Sequence, residues 1–162
     1  PTRELAVQVE ANVKEYAKYL NLSSLAVYGG VDSEAQKARL EEGIDILVAT
    51  PGRLLDMAYQ RALYFDDLEF FVLDEADRML DMGFIEDINK IIDRLPSERQ
   101  SLLFSATLTE QVRYLADTVY DDAAEISVSP KKKAAPKIDQ WLIAVDKDNK
   151  SALLSHLIND SQ

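Results

Sequence analysis

The stretch FVLDEADRMLDMGF, residues 71–84, sets four carboxylates, Asp74, Glu75, Asp77 and Asp81, close behind an apolar run. A carboxylate at the end of a buried strand can hold a hard divalent cation such as Mg²⁺, commonly through water. A second carboxylate beside it can orient or deprotonate an attacking water. Asp74 and Glu75 suit that division, because neighbouring side chains can face a metal and a nucleophile separately. Acid pairs are common, and the same residues also suit an acidic turn that caps the next helix. On these residues alone three alternatives stand: a solvated turn, a metal site, or the reactive end of a nucleotide hydrolase.

The acids need a scaffold, and the apolar spacing describes one. FFVL (70–73) is a short apolar run of the kind found in strands buried on both faces. LAVYGG (25–30), IDILVAT (44–50), SLLFSAT (101–107) and EISVS (125–129) read as further strands. Helical stripes run between them. Leu5, Val9, Val13, Tyr16 and Leu20 follow a capping Thr2, and SEAQ (33–36) fits a capping box with Gly43 as the stop. Leu54, Leu55 and Ala58 follow Thr50 and Pro51, an N-cap with proline at the first helical position. Ile85, Ile88, Ile91, Ile92 and Leu95 precede Pro96, and Val112, Leu115, Ala116 and Val119 mark the next helix. This alternation predicts an α/β domain whose parallel sheet is covered on both faces. Ligands of such sheets gather beyond the carboxyl ends of the strands. Gly29–Gly30, Thr50 to Arg53, Asp74 to Asp77 and Ser105 to Thr107 all fall there.

Composition narrows the class. The 162 residues suffice for one domain with a proper core, and 47% are apolar. Cysteine is absent, which excludes disulfides and thiolate metal sites and suggests the cytoplasm. No apolar run is long enough to predict a membrane span, and no signal peptide opens the chain. The net charge of −11 opposes bulk attraction of nucleic acid. A local site built from backbone N–H groups and a few arginines remains open. PKKKAAPK (130–137) reads as a linker. IDQWLIAV (138–145) and KSALLSHLI (150–158) read as one strand and one helix of a second domain that is cut short. The predicted division is therefore 1–129, 130–137 and 138–162.

PTRELA (1–6), Gly29–Gly30, TPGR (50–53), DEAD (74–77) and SAT (105–107) occur in the order found in DEAD-box RNA helicases. The chain resembles the first RecA-like domain of that family, and DEADRMLDMGF is similar to its bacterial members. The resemblance implies a Mg²⁺ site at Asp74 and Glu75, held largely through water and nucleotide, and that Glu75 also positions or activates the water attacking the γ-phosphate of ATP. It implies that Asp77 hydrogen-bonds to the segment Ser105, Ala106 and Thr107, linking nucleotide state to RNA state. It implies RNA-backbone contacts from Pro1, Thr2, Arg3 and Glu4, from Gly29 and Gly30, and from Thr50, Pro51, Gly52 and Arg53. Physical logic runs parallel for two of these groups. A helix start presents free N–H groups and a positive dipole end, which suit a phosphate, and Arg53 adds a fork donor. Gly30 permits close approach of a sugar–phosphate chain. Such contacts ignore base identity. Locally, TPGR also reads as a capped helix start and Gly29–Gly30 as a plain turn.

The nucleotide site of the family needs G-x-x-x-x-G-K-[ST] to cradle phosphates. The five glycines, at 29, 30, 43, 52 and 83, include none that precedes a lysine. The resemblance is thus to a P-loop NTPase-type domain lacking its N-terminal P-loop strand, with Mg²⁺ and ATP as the parent protein's cofactors. The sheet is expected to carry a slot where that strand belongs, with IDQWLIAV as one candidate filler. Two further readings stay open: a non-catalytic RNA- or protein-binding module, and a helicase or nuclease acting on DNA.

Overall fold

The structure, a computed structural model, describes residues 1–120, 123–128 and 141–160, the side chain of Asp160 excepted. Packing divides the chain into Pro1–Ala124 and Glu125–Gln162. The predicted linker 130–137 lies outside the described residues.

The first unit alternates helix and strand. Helix α1 (Arg3–Tyr16) begins where the Thr2 hydroxyl accepts from Leu5 N at 3.3 Å. Its stripe is shorter than predicted: Leu5, Val9 and Val13 are half-buried, whereas Tyr16 and Leu20 are exposed and Leu20 lies beyond the helix. Strand β1 (Ser24–Val27) and helix α2 (Ser33–Glu41) follow. The cap of α2 is Asp32, one residue before the expected Ser33, and its Oδ1 accepts from Glu34 N at 3.0 Å. The capping box fails because Gln36 turns inward instead of reaching back to the helix start. Gly43, at φ +86°, ends this segment in the left-handed region as its position suggested.

Strand β2 (Ile46–Ala49) pairs parallel with β1, Ser24 opposite Ile46 and Val27 opposite Ala49. Helix α3 (Pro51–Tyr59) then leads to strand β3 (Phe70–Leu73). The short helix α4 (Ala76–Asp81), helix α5 (Ile85–Ile92) and strand β4 (Gln100–Leu103) come next. β4 pairs parallel with β3, Phe70 opposite Gln100 and Leu73 opposite Leu103. Helix α6 (Glu110–Val119) closes the unit, its cap Thr109 accepting from Val112 N at 3.2 Å.

The parallel α/β class holds, but the sheet is not continuous. Among the described residues it consists of two separate pairs, β1–β2 and β3–β4. Helix α3 bridges them by packing. Leu55 enters the core of Phe71, Leu73, Met79, Ile88 and Leu115, while Met57 enters a second core with Val27 and Ala62. Opposite sides of one helix turn thereby fix the relative position of both strand pairs. The expected cover on both faces is also incomplete. Phe71 and Leu73 are buried, but their alternating neighbours Phe70 and Val72 are 61% and 53% exposed.

The second unit, described by itself, holds a 3₁₀ turn (Lys147–Asn149) and helix α7 (Lys150–Asp160). The expected strand at 125–129 does not form over residues 125–128, and Ser129 lies outside the described residues. Ile126 and Val128 are exposed, and no described strand offers them a hydrogen-bond ladder. Residues 141–145 of IDQWLIAV likewise form no strand, so among the described residues nothing fills the anticipated slot; 138–140 are not described.

Candidate active site

The acids of the opening stretch emerge where β3 ends. Beyond the regular ladder, Phe104 N donates to Leu73 O at 2.8 Å and Ala76 N donates to Phe104 O at 3.0 Å. These bonds stitch the acidic turn to the segment that follows β4. Asp74 is exposed, and its Oδ1 accepts from Glu75 N at 2.9 Å. Glu75 sits in the left-handed region at φ 53°, ψ 49°. That conformation costs a residue with a Cβ about 1–2 kcal/mol. It lets the chain turn directly from strand into α4, so that Asp74 and Glu75 leave the backbone at one corner. Arg78 Nη1 lies 3.1 Å from Glu75 Oε2.

Asp77 joins this corner to the serine–alanine–threonine segment. Its Oδ2 accepts from Thr107 N at 2.9 Å and from Thr107 Oγ1 at 2.7 Å. Its backbone N donates to Ser105 Oγ at 3.3 Å, and that hydroxyl donates to Thr107 O at 2.7 Å. The Thr107 hydroxyl is the main reason the Asp77 carboxyl is held below its ordinary pKa, with backbone N–H groups of Arg78 and Thr107 adding to it. An open cleft of about 400 Å³ is lined by Asp74, Glu75, Asp77, Arg78, Ser105 and Ala106, among others. Among the described residues no three His, Asp or Glu side chains converge into a metal cage. Mg²⁺ needs none, because it keeps several waters and takes only one or two carboxylates beside phosphate oxygens.

A second surface forms beyond β1 and β2. Thr50 N donates to Val27 O at 3.0 Å, which prolongs their pairing to the start of α3. Thr50 occupies the N-cap position, yet its hydroxyl makes no capping bond. Pro51 is buried at N1 and Gly52 is exposed. Gly30 has φ +83°, and a Cβ there would lie 3.1 Å from Arg3 Nη1. Arg3 therefore passes over a bare glycine. Gly29 has open space around it, so of the pair only Gly30 is required by the geometry. The Arg3 side chain is 53% exposed and meets Glu4 Oε1 at 3.6 Å. Pro1 directly precedes the cap of α1 and is half-buried.

Arg53 behaves differently from the free fork donor expected of it. Nε donates to Gln36 Oε1 at 3.0 Å, Nη1 to Asp56 Oδ2 at 3.2 Å and Nη2 to Val31 O at 3.1 Å. Its side chain is only 14% exposed. Sequence reasoning missed Gln36 as a partner because the SEAQ pattern assigned it to a cap. It also passed over Arg78, whose spacing of three from Glu75 along the chain was the available signal.

The structure thus brings Asp74, Glu75, Asp77, Ser105, Ala106 and Thr107 into one corner, and Arg3, Gly30 and the 50–53 turn onto another rim. The profile of the DEAD/DEAH box helicase family matches residues 1–115. This chain belongs to that family. It is 44% identical, over 99% of its length, to 41% of the ATP-dependent RNA helicase RhlB of Pseudomonas syringae pv. tomato. It is 38% identical, over its whole length, to 31% of the DEAD-box ATP-dependent RNA helicase CshA of Streptococcus pneumoniae serotype 4. Among solved structures, a hypothetical ATP-dependent RNA helicase from Sulfolobus tokodaii superposes with a TM-score of 0.73 at 37% identity, over 76% of this chain and 37% of that one. The yeast DEAD-box splicing factor Prp28 superposes at 0.69 with 36% identity, over 72% of this chain and 28% of that one. The fold is accordingly RecA-like, and the chain spans about two fifths or less of the length of the curated relatives named here.

Proposed function

We propose that this chain is part of an ATP-dependent RNA helicase that couples ATP hydrolysis to local duplex separation or remodelling of RNA–protein complexes. The observation that carries the reading is the bonded corner in which Asp77 ties the acid pair to Ser105 and Thr107. A pure binding module has no need of both motifs, joined in this way. In the proposed scheme Asp74 holds Mg²⁺ through water, and Glu75 orients the attacking water or takes its proton. The ion, when bound, neutralises charge developing on the phosphates. Asp77, Ser105 and Thr107 pass the state of that site to the RNA. Hydroxyls suit such a relay, because they donate and accept and can rotate from one partner to another.

The RNA-facing set comprises Pro1, Thr2, Arg3, Glu4, Gly29, Gly30, Thr50, Pro51, Gly52 and Arg53, engaging backbone rather than bases. The second unit is read as the beginning of a second helicase domain, and the cytoplasm as the site of action, in keeping with the lack of cysteine. Among the described residues no helix is long and apolar enough to cross a membrane.

Turnover of radiolabelled ATP by the full-length protein tests the reading. RNA-stimulated hydrolysis is expected, and Glu75→Gln is expected to lower kcat by about 10²–10⁴-fold while leaving the thermal melt unchanged. The isolated chain, having no phosphate cradle, is expected to show no turnover. Full activity of Glu75→Gln would remove Glu75 from the chemistry.

A further inference from the structure

The acids of the active corner are held in different ways. Asp74 Oδ1 accepts the backbone N–H of Glu75, and Asp77 Oδ2 accepts two bonds from Thr107. Glu75 stands at the N-cap of α4, yet its side chain caps no N–H of that helix. The bond on its carboxylate comes instead from Arg78, one turn on, whose Nη1 lies 3.1 Å from Oε2. Among the described residues that line the cleft, Arg78 is the one side-chain cation, beside the carboxylates of Asp74, Glu75, Asp77 and Asp81. Arg78 is itself seated by its backbone. Its N donates to Asp77 Oδ1 at 3.0 Å, and its carbonyl accepts from Met82 N at 3.1 Å. The stem of the guanidinium therefore starts from the same carboxyl that takes Thr107.

We infer that Arg78 is a positioning residue for Glu75: it holds one carboxylate oxygen so that the other faces the attacking water, and it makes no nucleotide contact of its own. A carboxylate has two acceptor oxygens, so a bond to Oε2 leaves Oε1 open to accept from a water. Without a partner, a partly exposed glutamate samples several rotamers, and only some of them aim at that water. Fixing the useful one raises the fraction of encounters with reacting atoms in line. The two side chains are 55% and 36% exposed, so the pair adds little to stability and its effect on rate is modest, about fivefold at most. A guanidinium presents directed donors, whereas a lysine ammonium is a point charge on a flexible stem. This inference rests on the hydrolytic role proposed above for Glu75.

The test is ATP turnover by the full-length protein at saturating RNA, beside binding of a fluorescent ATP analogue, thermal melts and the NMR signal of the Arg78 side-chain N–H. Arg78→Gln is expected to lower kcat about fivefold, with the KM for ATP, the affinity for the analogue and the melt unchanged. Arg78→Lys should recover part of that loss, because it keeps a cation one turn from Glu75. On a Glu75→Gln background, Arg78→Gln should cause no further loss, since both act through one group. In protein without nucleotide, Glu75→Gln should move the Arg78 side-chain signal, which is identified by its disappearance in Arg78→Lys. Three results would overturn the inference. A raised KM for ATP and weaker analogue binding in Arg78→Gln, with kcat unchanged, would make Arg78 a phosphate contact. A lowered melt with kcat unchanged would make the pair an ordinary helix contact. An equal further loss on the Glu75→Gln background would show that Arg78 acts elsewhere. Full turnover by Glu75→Gln itself would overturn the hydrolytic role of Glu75, which is a separate outcome.

Discussion

The two corners of the first unit are both tied by side-chain hydrogen bonds, but they are tied differently. At Asp77 the bonds lie near the surface, join two strand ends, and involve hydroxyls that can exchange partners. At Arg53 the bonds converge on a largely buried guanidinium, with a buried amide on the other side. Breaking one Asp77–Thr107 bond exposes groups that water can satisfy. Breaking the Arg53–Gln36 bond leaves groups that water reaches poorly. One corner is arranged to change its bonding, and the other to keep it. The contrast fits the proposed function, in which a nucleotide edge would respond and an RNA rim would hold its shape.

Substitutions can break or sharpen that contrast. The largest effect is expected at Leu55, because α3 anchors both strand pairs. Leu55→Ala removes a buried side chain from the main core and should cost about 3 kcal/mol of stability, read as a lowered midpoint in urea. Both corners should fail together; loss of one alone would show that α3 does not join them. Thr107→Ala should cost only about 1 kcal/mol, since the bond it removes is exposed. Its melt should fall by only a few degrees, while coupling of ATP turnover to strand separation falls.

Acid should act on the Asp77 corner. The Asp77 carboxyl has a folded pKa below its unfolded value, chiefly because of the Thr107 hydroxyl. Its contribution to stability is therefore complete above the ordinary aspartate value, near pH 4, and is lost as pH falls through the depressed folded value. Asp45, whose pKa is lowered first by the backbone N–H of Ser23 and then by its hydroxyl, carries the same sign and window. Thermal melts from pH 7 to pH 5 should be flat in this contribution, and the decline should begin only below about pH 4. Asp77→Asn should weaken that decline without abolishing it, Asp45 being left. An unchanged acid profile in Asp77→Asn would remove Asp77 as a source.

Much of the fold was legible because the chain punctuates its elements with side chains of local action. Thr2 and Pro51 start helices, Gly43 stops one, and the spacing of Ile85, Ile88, Ile91 and Ile92 fixes a helical face. What stayed hidden depended on distant partners. The strand expected at 125–129 had the right residues but no described neighbour to pair with. The single sheet separated into two pairs because α3, rather than a β2–β3 ladder, joins them. Ser33 lost the cap to Asp32, a carboxylate one residue earlier, because Gln36 had a tertiary partner. The acid corner was legible from motif order, but the left-handed backbone at Glu75 was not, since nothing in a glutamate announces a positive φ. The bonding of Arg53 was the least legible of all, as three acceptors from three segments leave no local pattern.

The most direct test of the central claim is a paired assay on the full-length protein carrying Asp77→Asn, with ATP turnover and duplex separation followed in the same tube. If the Asp77–Thr107 contact links the acid pair to the RNA, turnover should stay within a few-fold of wild type while strand separation is lost, an effect of about 1–3 kcal/mol in coupling. Equal loss of both activities, or retention of both, would contradict it.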